Sequence, residues 1–116
     1  MAKKIQLKKG TVKHLQEYVA AKIKERGFTD ETVHERMLLL MEEVGELAKA
    51  CRKITGMNVD VKRKITLEVG EEVADVINLI FAVGIELGLD IEKEFINKEK
   101  VIDTRFYKRA QKNIIS

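Results

Sequence analysis

An all-α fold is what this sequence predicts, and three observations carry that expectation. Proline is absent from all 116 residues, so nothing forces a helix to break. Aromatic residues make up only 5%, too few for the half-buried pleated surfaces of a sandwich or barrel. Turn signals occur at three places, and the stretches between them carry apolar residues at spacings of three and four. The expected architecture is a four- to five-helix bundle unit that assembles into an oligomer, with 1–116 as a single domain.

Each helix follows from the breaks that bound it. The first is expected over about 11–26, with Val12, Leu15, Val19 and Ile23 on one face. Gly27-Phe28-Thr29-Asp30 ends it, and Thr29 or Asp30 is the expected N-cap of the next helix. The second is expected over about 31–55, with a stripe at Met37, Leu40, Met41, Val44, Leu47, Ala48 and Cys51. A turn at Gly56-Met57-Asn58 leads to the third, over about 61–87. Its stripe is Ile65, Val69, Val73, Val76, Ile80, Val83 and Leu87. Gly88 is the expected C-cap there, and Asp90 the N-cap of a last helix over about 91–112.

The third helix stands apart because Val76 to Ile85 is apolar on nearly every face. Such a segment must be covered all round, and few helices in a chain this short can do that. A subunit interface is therefore expected at Ile77, Phe81 and Ile85, the positions furthest from the stripe.

Composition narrows the function classes. Hydrophobic residues are 45% and charged residues 35%, as in a globular domain. One cysteine, Cys51, excludes an internal disulfide and a cysteine-based zinc site. No apolar stretch follows the basic start at Lys3 and Lys4, and the longest charge-free apolar run, Val76 to Ile85, is about half a membrane span. A cytoplasmic protein without a membrane partner is expected. The net charge of +3 gives little reason to expect a nucleic-acid partner, and Lys3, Lys4, Lys8 and Lys9 read as a solvated tail.

The acids say more, because they cluster. Met41-Glu42-Glu43-Val44-Gly45-Glu46-Leu47 and Gly70-Glu71-Glu72-Val73-Ala74-Asp75-Val76 each place carboxylates at i and i+3. On a helix that spacing puts both on one face, a turn apart. Glu72 falls inside the apolar stripe, with Asp75 on its shoulder, and Glu43 and Glu46 share a line with Leu39 and Ala50. Burying uncompensated carboxylates costs several kcal/mol, and converging ones repel. Divalent cations relieve both penalties. Four hard oxygen donors with no histidine at ligand spacing favour magnesium or manganese over zinc. A di-iron site needs two Glu-x-x-His pairs, and the chain has one such string, at Glu31 to His34. Glu42 and Glu71 point elsewhere.

Glu43-Val44-Gly45-Glu46 followed after 25 residues by Glu72-Val73-Ala74-Asp75 resembles the paired motif of MazG-like nucleoside triphosphate pyrophosphohydrolases. The resemblance covers about 11–106. It implies an all-α unit in dimers or tetramers that hydrolyses (d)NTP to (d)NMP and pyrophosphate with magnesium, as nucleotide-pool house-cleaning enzymes do. It also implies that Glu43, Glu46, Glu72 and Asp75 are the metal ligands, the same four that burial and spacing select. Glu43 is the carboxylate assigned to take the proton of the attacking water. Lys98, Lys100 and Arg105 look like the family's phosphate-contacting segment, although Asp103 stands where an asparagine often occurs. Asn78, a polar residue within the apolar run one turn after Asp75, is the expected substrate contact beside them. No base-stacking residue can be chosen among Tyr18, Phe28, Phe81, Phe95, Phe106 and Tyr107.

Two other readings stay open. One is a non-catalytic helical interaction protein whose acids hold a structural metal or a basic partner. The other is a nucleic-acid-associated protein, which rests on the isoelectric point near 9.0.

Overall fold

A computed structural model of the chain describes the backbone of residues 11–54 and 59–115 and the side chains of 11–54 and 63–105. The basic residues before Thr11, the turn at 56–58, Phe106 and Tyr107 lie outside those described side chains. The described residues form four helices: α1 (Val12–Glu25), α2 (Val33–Arg52), α3 (Val59–Glu86) and α4 (Ile91–Ile115). The all-α expectation holds, and the boundaries fall within a few residues of the predicted ones.

Local chemistry explains where each helix begins and ends. Thr11 caps α1 by accepting from the His14 amide. Gly27, at φ +78°, turns the chain out of α1. There the Phe28 amide donates to the Ile23 carbonyl and the Gly27 amide to that of Lys24. Gly88, at φ +70°, repeats the arrangement after α3, with Leu89 donating to Gly84 and Gly88 to Ile85. Both are Schellman closures, in which a glycine takes the left-handed conformation at no steric cost. Asp90 caps α4 through the Lys93 amide, as expected.

The start of α2 is a correction. Its N-cap is Thr32, not Thr29 or Asp30. Thr32 accepts from the Glu35 amide, and Glu35 reaches back to the Thr32 amide. That reciprocal box satisfies two otherwise orphaned donors, which neither earlier residue does.

α3 packs most extensively against α2 and also meets α1, which in turn touches α4. Gln16 of α1 holds the α3–α4 turn at both ends of its amide. Its Nε2 donates to the Leu89 carbonyl at 2.7 Å, and its Oε1 accepts from the Ile91 amide at 3.0 Å.

The core differs from the expected stripe. Ala50, Ile65, Phe81 and Ala82 are its buried apolar members among the described residues. Phe81, expected at a subunit interface, is only 6% exposed within the single chain, because α3 is flanked by both α1 and α2. Ile85 is half-buried, while Ile77 is exposed. Met37, Met41 and Cys51, expected in the core, are exposed, as is Ile80 of the α3 stripe. One chain therefore leaves part of its apolar surface uncovered. Its radius of gyration, 18.4 Å, exceeds the ~13 Å of a compact chain of this length. No described helix is long and apolar enough to cross a membrane.

Candidate metal centre and adjoining cavity

The two acidic stretches meet where α2 and α3 pack. Glu43 of α2 and Glu72 and Asp75 of α3 each bring a carboxylate oxygen within 4.8 Å of the other two. Glu43 and Glu72 are half-buried and Asp75 is exposed. Glu46, expected as a fourth ligand, lies outside this group and is exposed one turn further along α2.

The cluster is electrostatically uncomfortable on its own. The pKa of Glu43 is raised above its ordinary value, first by a side-chain hydrogen bond with Glu72. Desolvation adds to this, followed by the charges of Asp75, Glu72 and Glu42. The Oε2 atom of Glu72 is buried and has no hydrogen-bond partner. A buried acceptor left unmade is costly, so this orphan oxygen marks a place where a cation fits. Three convergent carboxylates could hold a metal ion.

A cavity of about 300 Å³ opens beside the cluster, with Glu43, Asp75 and Asn78 on its wall. Asn78 is thus placed next to the carboxylates, as its position in the apolar run suggested. Leu79 and Ala82 continue the α3 side. α1 supplies Tyr18 and Lys22, its C-cap is Arg26, which also lines the cavity, and the α1–α2 loop supplies Phe28 and Glu31. Lys22 pairs with Glu25 at 3.0 Å and stands 5.7 Å from the centre of the Tyr18 ring. Lys98, Lys100 and Arg105 are exposed on α4 and are not part of this wall.

Sequence reasoning found the acids and missed the basic wall. Lys22, Arg26 and Arg36 carry no motif, and only tertiary packing brings α1 across the α2–α3 pair. One signal was present: Arg36 precedes Glu43 by seven residues, two turns along one helix face. The cavity also narrows the aromatic candidates. Tyr18 and Phe28 line it, Phe81 belongs to the core, and Phe95 is exposed on α4.

No family model, no curated protein and no solved structure matches the chain.

Proposed function

We propose that the chain is a magnesium-dependent nucleoside triphosphate pyrophosphohydrolase, releasing pyrophosphate from a (d)NTP and leaving the monophosphate. The observation that carries this reading is the three-carboxylate cluster opening onto a cavity that also holds cations and aromatic rings. A nucleotide needs those three chemistries together. Hard oxygen donors suit a phosphate-bound cation, basic side chains balance a polyanion, and rings accept a base.

Glu43, Glu72 and Asp75 would hold the ion, with Glu46 within one turn to complete the set. Magnesium, or manganese in its place, would neutralise charge on the phosphate oxygens and orient them for in-line displacement. Lys22 and Arg26 offer positive charge to the phosphate chain. Glu43, on the cavity wall beside Asp75, is the carboxylate that would take a proton from the attacking water. Asn78 offers an amide to the substrate. Lys98 and Arg105 belong to this reading only if a second copy or the substrate brings α4 to the cavity.

The exposed apolar residues on α2 and α3 and the extended shape support a homodimer or homotetramer. Light scattering at micromolar concentration would give a multiple of the 13.3 kDa chain mass. A monomer would remove this part of the reading.

The test of the activity is an alanine series scored for pyrophosphate release and for helicity. Glu43→Ala, Glu72→Ala and Asp75→Ala should each lower turnover by orders of magnitude with the helical signal kept, whereas Glu42→Ala and Glu71→Ala should change it little. Glu46→Ala decides whether the fourth acid joins the site. A wild-type chain that binds magnesium but releases no pyrophosphate would instead be a non-catalytic interaction protein.

A further inference from the structure

Phe28 and Arg36 both line the cavity, and they are bonded to each other. The Phe28 side chain is 50% exposed, whereas Arg36 is the one buried charged residue among the described residues, at 2% exposure. A lone exposed ring is ordinary; a buried guanidinium is not. The Arg36 Nη2 donates to the Phe28 carbonyl at 2.7 Å, and its Nε stands 3.9 Å from the Glu31 carboxylate, at ion-pair distance. Arg36 therefore ties both ends of the segment 28–31 to α2.

The backbone of Phe28 is fixed from the other side as well. Its amide donates to the Ile23 carbonyl at 3.0 Å, and Gly27 before it holds φ +78°. With its amide bonded to α1 and its carbonyl bonded to α2, Phe28 keeps little freedom beyond its own side-chain rotamers. A buried charge with partners adds little stability over a well-packed apolar residue of the same volume. What Arg36 supplies is position, an exposed ring held at a cavity wall.

Placement along the cavity indicates what that ring meets. Arg36 lies two turns before Glu43 on the same face of α2, about 10 Å along the axis. A nucleotide carries its phosphates at one end and its base at the other, with the sugar between. With the phosphates at Glu43 and Asp75, the base reaches toward the Arg36 end. Two rings line the wall. Tyr18 is half-buried and engaged by Lys22, whose Nζ stands 5.7 Å from its ring centre, which leaves Phe28 as the exposed one.

We propose that Phe28 is the platform on which the base of the substrate stacks, and that Arg36 is the positioning residue that holds it there. This rests on the pyrophosphohydrolase reading and adds to it the choice of ring. Every base has a π-face, so the platform supplies affinity and not a preference among bases.

The chain has no tryptophan, so Phe28→Trp places a single emitter at the platform. Magnesium-bound nucleoside triphosphates should quench its fluorescence, whereas magnesium tripolyphosphate, which has no base, should leave it unchanged. Phe28→Ala should raise KM for pyrophosphate release about 5- to 150-fold, the worth of one stacked base, with kcat near that of the wild type. Arg36→Met should raise KM on the wild-type background and add nothing on the Phe28→Ala background. Arg36→Lys, which can still donate to the Phe28 carbonyl, should recover part of the loss. Phe28→Trp and Phe28→Ala alter an exposed side chain, so neither test needs an Arg36 variant to fold. A tryptophan unmoved by every nucleotide the chain hydrolyses, or quenched equally by tripolyphosphate, would overturn the platform and leave the pyrophosphohydrolase reading standing. So would a Phe28→Ala chain with the wild-type KM. Arg36→Met and Phe28→Ala effects that add in full would overturn the positioning role. Quenching by a nucleotide with no pyrophosphate released would overturn the hydrolase reading and keep the platform.

Discussion

Replacing Glu72 by glutamine changes one oxygen for an amide and should move stability in opposite directions with and without a divalent ion. Without the ion, the wild-type cluster holds three carboxylates within 4.8 Å and leaves Glu72 Oε2 buried and unpaired. An unmade buried hydrogen bond costs about 1–3 kcal/mol. The amide removes a charge and supplies a donor to the neighbouring carboxylates. A gain of about 1 kcal/mol in chelator follows, or about 4 °C in Tm for a chain of this length. With magnesium the order reverses. At tenfold over its Kd, an ion that binds only the folded state stabilises the wild type by about 1.4 kcal/mol, or about 6 °C. Glu72→Gln should lose most of that increment. Thermal melts by circular dichroism at 222 nm, in EDTA and across a magnesium titration, read both effects. A variant that melts below the wild type in EDTA would refute the orphan-oxygen argument. A wild type unmoved by millimolar magnesium would refute the metal site.

Three further outcomes follow from named contacts. Because the pKa of Glu43 is raised in the folded chain, the stability tied to its proton is present below 4.5 and is lost as pH rises through the folded-state value. In EDTA the advantage of Glu43→Gln over the wild type should therefore widen as pH climbs from 4 to 7, and a constant gap would contradict the shift. Magnesium binding, measured by calorimetry, should weaken as pH falls over the same range, since the ion competes with that proton. Gly84→Ala places a Cβ 2.6 Å from Cδ1 and 2.9 Å from Cγ1 of Ile91, so the Ile91 side chain must shift. The cost is about 1–3 kcal/mol, less the ~1 kcal/mol that alanine gains in a helix. A double-mutant cycle in chemical denaturation with Ile91→Ala should show coupling, and strict additivity would place the strain elsewhere.

Much of the fold was legible because its signals are local. Gly27, Gly88 and Asp90 act through backbone chemistry that a short string of residues determines, so the turns they mark fell where expected. The start of α2 was missed by two to three residues because three cap-forming residues, Thr29, Asp30 and Thr32, fall within four positions. Only the reach of Glu35 back to Thr32 decides among them. The core was read less well. A stripe shows which face of a helix is apolar, but not which partner covers it or how much. Met37, Met41 and Cys51 share a stripe and still face solvent in one chain, whereas Ala50, on the line of Glu43 and Glu46, is buried and Phe81 is covered by its own helices. The candidate site divides in the same way. Glu43, Glu72 and Asp75 were visible because an acid in an apolar stripe is an anomaly with few remedies. Tyr18, Lys22, Arg26 and Phe28 are ordinary residues of an ordinary helix and turn, and only the crossing of α1 over α2 and α3 makes them a wall. Arg36 lay between. Its phase with Glu43 was present in the sequence, but its burial was not.

The most direct measurement is product analysis by phosphorus NMR, with wild-type chain, a set of nucleoside triphosphates and magnesium in isotopically labelled water. The account predicts nucleoside monophosphate and pyrophosphate from at least one nucleotide, no diphosphate, and no reaction in EDTA. Products of nucleoside diphosphate and inorganic phosphate, or intact triphosphate from every nucleotide with magnesium bound, would contradict it.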